Sequence, residues 1–307
     1  MTIPATPVRR AVTRTNVLAV DTEGARERPD GLVTEEPMEI RVHGPGEEPV
    51  PLAVTMRTPG NDFELAAGFL LTEGVISGPD ELDTIAYCLG GDGEQQYNVV
   101  TVRLRRRVAL EVTARRFLSN SSCGICGKAA LDELAVRCDP VGPGPTIAAS
   151  VVRSLPATLA EHQRVFDETG GLHAAARFDA GGTLLAARED VGRHNALDKL
   201  VGHALLERAL PLADQVLLVS GRLSFELVQK AAVAGLPVLC AVSAPSSLAV
   251  NAAREFGQTV IGFLRDDRFN VYTHPERLDA TGERSVGPVI ASEASRAIEG
   301  RRPEPHE

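Results

Sequence analysis

The feature that most constrains the fold is an alternation of short apolar runs with helical segments near the C-terminal end. Uninterrupted apolar runs occupy residues 215–220, 237–242 and 259–264, and segments of helical spacing at 224–234 and 247–256 separate them. Strands that are apolar on both faces and joined by helices are typical of a parallel sheet covered on both sides. The sequence therefore predicts a β-α-β-α-β unit in an α/β fold.

The elements before this unit extend it to a C-terminal α/β domain over residues 146–280. A helix is predicted at 157–169, and Gly170-Gly171 ends it. The runs 172–178 and 183–188 flank a turn of Asp and Gly residues, which is a hairpin signal. A long helix at 195–209 leads into the first parallel strand.

A smaller α+β domain is predicted over residues 31–118. Its strands are expected at 38–42, 52–56, 84–88 and 97–104, with one helix at 63–73. Two domains agree with a chain of 307 residues. We expect the stretch 119–145 to be a mobile connector, and the tails 1–30 and 281–307, rich in polar residues, to be disordered.

Charge and composition exclude several classes of protein. A net charge of −9 disfavours general nucleic-acid binding, which needs an excess of Lys and Arg. No run approaches the ~20 apolar residues of a membrane span, and the basic N-terminus has no apolar run typical of a signal peptide. Five cysteines, an odd number, argue against a disulfide framework. We therefore expect a cytoplasmic protein with no membrane or nucleic-acid partner.

Polar loops follow the predicted parallel strands, where open α/β sheets bind ligands. The loops at 220–224 and 243–247 open helices, whose N-termini attract anions, and the loop at 265–268 contains two arginines. The segment 188–195 is a fourth polar turn. Each loop alone is explained by helix caps and solvated turns. Their convergence on one edge favours a phosphate-bearing ligand, although none is a Walker A or GxGxxG motif.

The sharpest local motif is Cys123-Gly-Ile-Cys126, which follows a run of Ser and Asn residues. A zinc site would need a second ligand pair, and none is evident, so we expect no metal. A thioredoxin-like site would follow a strand, and no such order of elements is present. The third possibility is a thiol that carries sulfane sulfur, with the pKa of the thiol lowered by a helix start and by Lys128. Two unreactive loop cysteines remain the plain alternative.

Six segments together resemble one family, the formate dehydrogenase accessory sulfurtransferase FdhD family. They are 58–76 (TPGNDFELAAGFLLTEGVI), 121–131 (SSCGICGKAAL), 169–176 (TGGLHAAA), 188–202 (REDVGRHNALDKLVG), 220–250 (SGRLSFELVQKAAVAGLPVLCAVSAPSSLAV) and 262–278 (GFLRDDRFNVYTHPERL). The resemblance covers about residues 35–278, and its motifs are long and specific.

The resemblance implies a sulfurtransferase required for formate dehydrogenase activity. Members accept sulfur from a cysteine desulfurase as a cysteine persulfide. They deliver it to the molybdenum cofactor, the bis-molybdopterin guanine dinucleotide form, before that cofactor enters formate dehydrogenase. The cofactor is thus a bound substrate. A homodimer would also agree with the resemblance. The alternative function is a non-catalytic chaperone for the cofactor, with the cysteine pair as a regulatory thiol pair.

The resemblance also assigns residues. The carrier cysteines are Cys123 and Cys126, and Cys123 is the better candidate for the persulfide, whereas helix-dipole reasoning alone favours Cys126. The predicted cofactor contacts combine the family's binding stretch with the edge loops: Phe263, Leu264, Arg265, Asp266, Asp267, Arg268, Ser220, Gly221, Arg222, Ser243, Arg193 and His194. Arg222, Arg265 and Arg268 are expected to hold pyrophosphate.

The resemblance implies that the C-terminal domain has the three-layer cytidine-deaminase-like α/β fold. A zinc deaminase would need H-x-E and P-C-x-x-C, but His173 is followed by Ala174-Ala175 and no second motif follows. Deamination is therefore not expected. His173 is either a ligand contact or a buried, hydrogen-bonded histidine, and both readings stay open. His194, beside Arg193, is the stronger candidate for a ligand contact.

Overall fold

The computed structural model describes residues 10–89, 95–108 and 140–281. Within them it has six α-helices: α1 (Asp62–Thr72), α2 (Ala149–Ala160), α3 (Arg164–Thr169), α4 (Arg193–Leu206), α5 (Phe225–Val233) and α6 (Ser247–Glu255). Its strands are β1 (Val12–Asp21), β2 (Gly24–Val33), β3 (Glu36–His43), β4 (Val50–Arg57), β5 (Leu82–Leu89), β6 (Gln95–Leu104), β7 (Ile147–Ala148), β8 (His173–Phe178), β9 (Leu184–Asp190), β10 (Val216–Val219), β11 (Val238–Ala241), β12 (Thr259–Gly262), β13 (Asn270–Thr273) and β14 (Leu278–Asp279).

A six-stranded sheet forms the centre of the C-terminal half, in the order β13-β12-β11-β10-β8-β9. Strands β10, β11 and β12 are parallel, and α5 and α6 connect them, so the predicted β-α-β-α-β unit and the α/β class are confirmed. The hairpin β8-β9 pairs antiparallel with β10. Strand β8 therefore begins, and β9 ends, at the edge where the parallel strands end.

Both faces of this sheet are covered, which gives three layers. Alternate residues of the strands point to opposite faces. Leu217, Leu239 and Val260 belong to the apolar cluster that includes α1, α4, α5 and α6. Leu218 and Cys240 lie on the other face, in a cluster with the buried residues of α2.

The N-terminal half is a four-stranded sheet, β4-β3-β6-β5, that shares its core with the larger sheet. Helix α1 packs directly on α4, where Gly68 and Gly202 face each other. A Cβ atom on Gly202 would overlap the backbone carbonyl of Glu64, so only glycine permits this close approach. The domain boundaries at 31–118 and 146–280 remain predictions, because one apolar cluster runs through both halves.

Two expectations about secondary structure were wrong. Residues 12–33, most of them assigned to a disordered tail, form the antiparallel hairpin β1-β2, whose base packs against α3 at Gly31 and Glu168. The many Arg, Thr and Glu residues lie on solvated strand faces, which hides the strand pattern. The helix predicted at 157–169 is instead α2 and α3, because α2 starts at Ala149 and contains Pro156 in its interior.

Candidate functional site

The loops that follow the parallel strands lie side by side at one edge of the large sheet. The backbone N–H of Leu223 donates to the carbonyl of Ala244 at 3.2 Å, and that of Ser246 donates to the carbonyl of Leu223 at 3.0 Å. The N–H of Phe263 donates to the carbonyl of Ser243 at 3.1 Å. The structure therefore joins the three predicted loops into one continuous rim, here called the ligand edge.

The loop at 263–268 forms one end of the ligand edge. Phe263 has a left-handed backbone (φ 52°) and a side chain that is 44% exposed. Its neighbour Leu264 is fully buried among core residues, so the Leu264 side chain anchors the loop, and the cofactor contact of this residue stays a prediction. A non-glycine residue at positive φ persists only where its surroundings enforce it. The burial of Leu264 supplies that enforcement.

The arginines of this loop differ in their roles. Arg265 Nη1 donates to the carbonyls of Val242 at 2.5 Å and Leu264 at 2.8 Å, so in this structure Arg265 braces the loop. Arg268 lies with Phe263, Arg265 and Asn270 around a cavity of about 270 Å³. Asp266 and Asp267 are exposed beside them. Arg268 and the exposed Arg222 are thus better placed than Arg265 to contact phosphate.

His173 and the loop after β10 form the opposite part of the ligand edge. The N–H of Ala174 donates to the hydroxyl of Ser220 at 2.9 Å, so Ser220 fastens β8 to this loop. Gly221 lies against His173, since a Cβ atom at Gly221 would be 3.3 Å from the imidazole Nδ1. Partial burial, and then the positive charge of Arg193, lower the pKa of His173, which favours the neutral imidazole.

Arg193 and His194 begin helix α4 beside this loop. The Nε atom of Arg193 is buried and has no hydrogen-bond partner among the described residues. His194 Nε2 lies 3.4 Å from the hydroxyl of Ser224 and 4.0 Å from the carboxylate of Glu226. Burial, and then the charges of Arg193 and Lys230, lower the pKa of His194 to about 4. His194 is therefore neutral at physiological pH.

A buried network explains much of the polar density at 188–195. The ammonium of Lys199 lies 2.7 Å from the carboxylate of Asp190, and both side chains are almost fully buried. Asp190 also accepts from the backbone of Thr58 and from the side chain of Asn195. This network fixes the turn before α4, and so the position of Arg193. Sequence reasoning missed it, although Asp198 and Lys199, two adjacent charged residues flanked by Leu197 and Leu200 in α4, were a usable signal.

Cys123 and Cys126, the predicted carrier cysteines, lie within residues 109–139, which are outside the described residues, as are 1–9, 90–94 and 282–307. The described chain stops at Val108 and resumes at Pro140.

Within residues 10–89, 95–108 and 140–281, no group of three His, Cys, Asp or Glu side chains is arranged to hold a metal. Among the same residues, no helix combines the length and apolar character that a bilayer span requires.

A model of the FdhD/NarQ family matches residues 33–279, which is most of the chain. The chain belongs to the FdhD/NarQ family. The match spans the cysteine pair and every loop of the ligand edge. The family resemblance read from the sequence is thereby confirmed.

The names of similar proteins extend this result. A sulfur carrier protein FdhD from Mycolicibacterium paratuberculosis is 54% identical over 258 residues, covering 82% of this chain and 93% of the relative. One from Streptomyces avermitilis is 53% identical over 280 residues, covering 88% and 96%. A crystal structure of a candidate formate dehydrogenase accessory protein from Desulfotalea psychrophila matches with a TM-score of 0.68 and 24% identity, covering 88% of this chain and all of that chain. That similarity supports the fold alone.

Proposed function

We propose that this protein is a persulfide-carrying sulfurtransferase that supports formate dehydrogenase. It accepts sulfur from a cysteine desulfurase and passes it to the bis-molybdopterin guanine dinucleotide form of the molybdenum cofactor, before that cofactor enters the dehydrogenase. The observation that carries the proposal is the family match over residues 33–279, together with relatives above 50% identity that are named sulfur carriers.

The first step is a sulfur transfer between thiols without net oxidation. The Cys123 thiolate attacks the terminal sulfur of the desulfurase persulfide, the S–S bond of that persulfide breaks, and the desulfurase cysteine leaves as a thiolate. Cys123 then holds the terminal sulfur as a persulfide. In the second step the cofactor, as acceptor, supplies the electron pair that forms the bond to the outer sulfur of the persulfide. The S–S bond breaks, Cys123 leaves as the thiolate, and the cofactor is the two-electron donor. Cys126 relays the sulfur, or it resolves the carrier by forming a disulfide with Cys123, which releases the outer sulfur as hydrosulfide.

The ligand edge is the proposed binding place for the cofactor. Arg268 and Arg222 are exposed there, beside loops that open helices, and Phe263 offers an exposed ring beside the cavity of about 270 Å³. Pyrophosphate pairs well with guanidinium groups and with free N–H groups at helix N-termini. In this arrangement Ser243 and Leu264 contribute backbone hydrogen bonds that join the loops of the ligand edge. Arg265 stabilises the 263–268 loop by donating to the carbonyls of Val242 and Leu264.

Persulfide formation tests the carrier function. The full chain is incubated with a cysteine desulfurase and cysteine, and its intact mass is measured. The wild type should gain one sulfur atom that a reducing agent removes. Cys123→Ala should lose this gain, and Cys240→Ala, which changes a buried cysteine, should keep it. No gain in the wild type, or a gain that survives replacement of both Cys123 and Cys126, contradicts the proposal.

The chaperone alternative predicts a different formate dehydrogenase activity in a complementation experiment. If the protein only shelters the cofactor, a Cys123→Ala/Cys126→Ala variant restores formate dehydrogenase activity to a strain that lacks the protein. The sulfurtransferase proposal predicts no restoration, together with unchanged binding of GDP to the purified variant. Restored activity would overturn the sulfur-transfer role.

A further inference from the structure

The hairpin β1-β2 projects from the rest of the protein and is here called the arm. Its two ten-residue strands pair only with each other, from Val12 and Val33 at the base to Asp21 and Gly24 at the tip. At about 3.3 Å per residue the arm is roughly 30 Å long, and residues 20–29 are all exposed. The family model matches residues 33–279, so the strands of the arm precede the matched part of the chain.

The base of the arm is fixed beside the ligand edge. Helix α3 packs on the base, where Arg14 pairs with Glu168. The backbone N–H groups of Val165 and Phe166, at the start of α3, donate to the carboxylate of Glu189 near the end of β9. Only three residues separate α3 from β8, which begins at the ligand edge. A protein that contacts the arm is therefore held close to the ligand edge.

One face of the arm is apolar from its base toward its tip. Helix α3 contacts this face at Gly31. Residues that pair directly across antiparallel strands share a face, so Leu18, Val20, Ala25 and Pro29 lie on the same side as Gly31. We call this surface the arm face. The side chains of Leu18 and Val20 are 64% and 73% exposed. Because a two-stranded ribbon has no core of its own, such exposed apolar side chains mark an interaction surface.

The free charges on and around the arm face are negative. Glu27 lies on the face itself, Glu23 lies in the turn at the tip, and Asp167 is exposed on α3 at the base. None of these three carboxylates makes an ion pair within the part of the chain that the structure describes. The arginine on this face, Arg14, is already paired with Glu168. The arm face therefore complements a surface that is apolar and carries exposed cations.

We infer that the arm face docks the formate dehydrogenase that receives the cofactor, at the cationic entrance of its empty cofactor channel. The inference rests on the proposed function, in which the cofactor leaves the ligand edge for the dehydrogenase. Two guanine dinucleotides carry two pyrophosphate groups, and a channel that takes in this negative charge needs Arg and Lys side chains or helix N-termini along its entrance. Glu23, Glu27 and Asp167 complement those cations, and Leu18 and Val20 exclude water from the contact.

The same charges give the transfer a direction. While the channel is empty, its cations attract the carboxylates of the arm face. Once the cofactor has entered, its phosphates neutralise those cations, and the arm loses this attraction. The loaded dehydrogenase should therefore bind this protein more weakly than the empty dehydrogenase does.

Binding of the full chain to purified formate dehydrogenase that lacks cofactor tests the arm face, with the Kd measured by biolayer interferometry. Leu18→Ser/Val20→Ser should weaken binding by about tenfold or more, since both side chains leave the contact. Glu27→Gln should weaken it by about threefold and reduce its dependence on salt. The matched controls change the opposite face of the same arm: Leu32→Ser, at a side chain 49% exposed, and Asp30→Asn should each keep the Kd within about twofold.

Thermal unfolding of each variant establishes that it is folded, and persulfide formation is read from the intact mass of the same samples. Weaker binding by the arm-face variants alone, with normal persulfide formation and weaker binding of the loaded dehydrogenase, supports the inference. No binding by the wild type, unchanged binding by the arm-face variants or equal losses in the controls would overturn it and leave the proposed function standing. Loss of binding to the cysteine desulfurase, with binding to the dehydrogenase unchanged, would also overturn it. Absence of a persulfide on the wild type would overturn the proposed function, and the inference with it.

Discussion

Replacing Lys199 by Met should destabilise the protein by about 4 kcal/mol. The change leaves the carboxylate of Asp190 buried without its partner 2.7 Å away, and such losses cost about 3–5 kcal/mol. It also removes the ammonium that donates to the carbonyls of Thr58 at 2.9 Å and Glu189 at 3.3 Å. With a slope of about 3 kcal/mol per molar urea, the unfolding midpoint should fall by roughly 1.3 M.

The double variant Asp190→Asn/Lys199→Met separates the ion pair from general damage. Because it removes the buried charge as well as its partner, its loss of stability should be smaller than the sum of the two single losses by about 1 kcal/mol or more. Asp80→Asn, which breaks the exposed pair with Arg208, is the matched control and should change stability by less than about 0.5 kcal/mol. A loss below about 1 kcal/mol for Lys199→Met, or strict additivity in the double variant, would refute the reasoning.

Four further measurements test other parts of the structure. Gly202→Ala forces a Cβ into the backbone of α1, so we expect a loss of folded protein on expression and a melting temperature lowered by several degrees; an unchanged melting temperature would contradict the close crossing. The pKa of His194, about 4 against an ordinary 6.5, favours the neutral form in the folded state. Its contribution to stability should therefore be present above pH 6.5 and disappear as the pH falls toward 4, and its NMR resonances should not titrate between pH 8 and pH 5. Burial raises the pKa of the Cys240 thiol to about 12, so mass spectrometry should find this residue unalkylated in the native protein and alkylated after unfolding. Phe263→Ala should weaken GDP binding without lowering stability, whereas Leu264→Ala should cost about 2–5 kcal/mol by opening a core cavity; equal stability loss in both would contradict their assigned roles.

The positions of the loops at the ligand edge were predictable from the sequence, but the roles of their side chains were not. The loops after the three parallel strands were located from polar residues that follow apolar runs, and the structure joins them by the backbone bonds of Leu223, Ser246 and Phe263. The contribution of each side chain was harder to predict. Leu264 and Arg265 belong to the same short motif as Arg268, yet one is buried and the other is tied to backbone carbonyls. A motif gives the position of a loop, and the packing beneath the loop decides which of its side chains remain available.

The hairpin β1-β2 was missed for a related reason. Its strands are rich in Arg, Thr and Glu, and its base is held by contacts with α3, more than a hundred residues away in the chain. The composition of a segment indicates only how much apolar surface the segment can bury by itself, and an isolated hairpin buries little. The surface that receives its base exists only after α3 has packed.

The sequence by itself determined the α/β class, the three parallel strands, the edge at which their loops meet, the family and the position of the cysteine pair. These follow from local periodicity and from long motifs, which need no knowledge of distant partners. Only the tertiary structure decided that Asp190 meets Lys199 and Thr58, and that α1 crosses α4 at two glycines. It also decided that Arg193 lies at the start of α4 with a buried Nε that has no hydrogen-bond partner in the described part of the chain. The physical reason is that these contacts form only when separate elements pack together. The free-energy cost of burying a charge, and the benefit of having no Cβ atom, both arise only at those contacts.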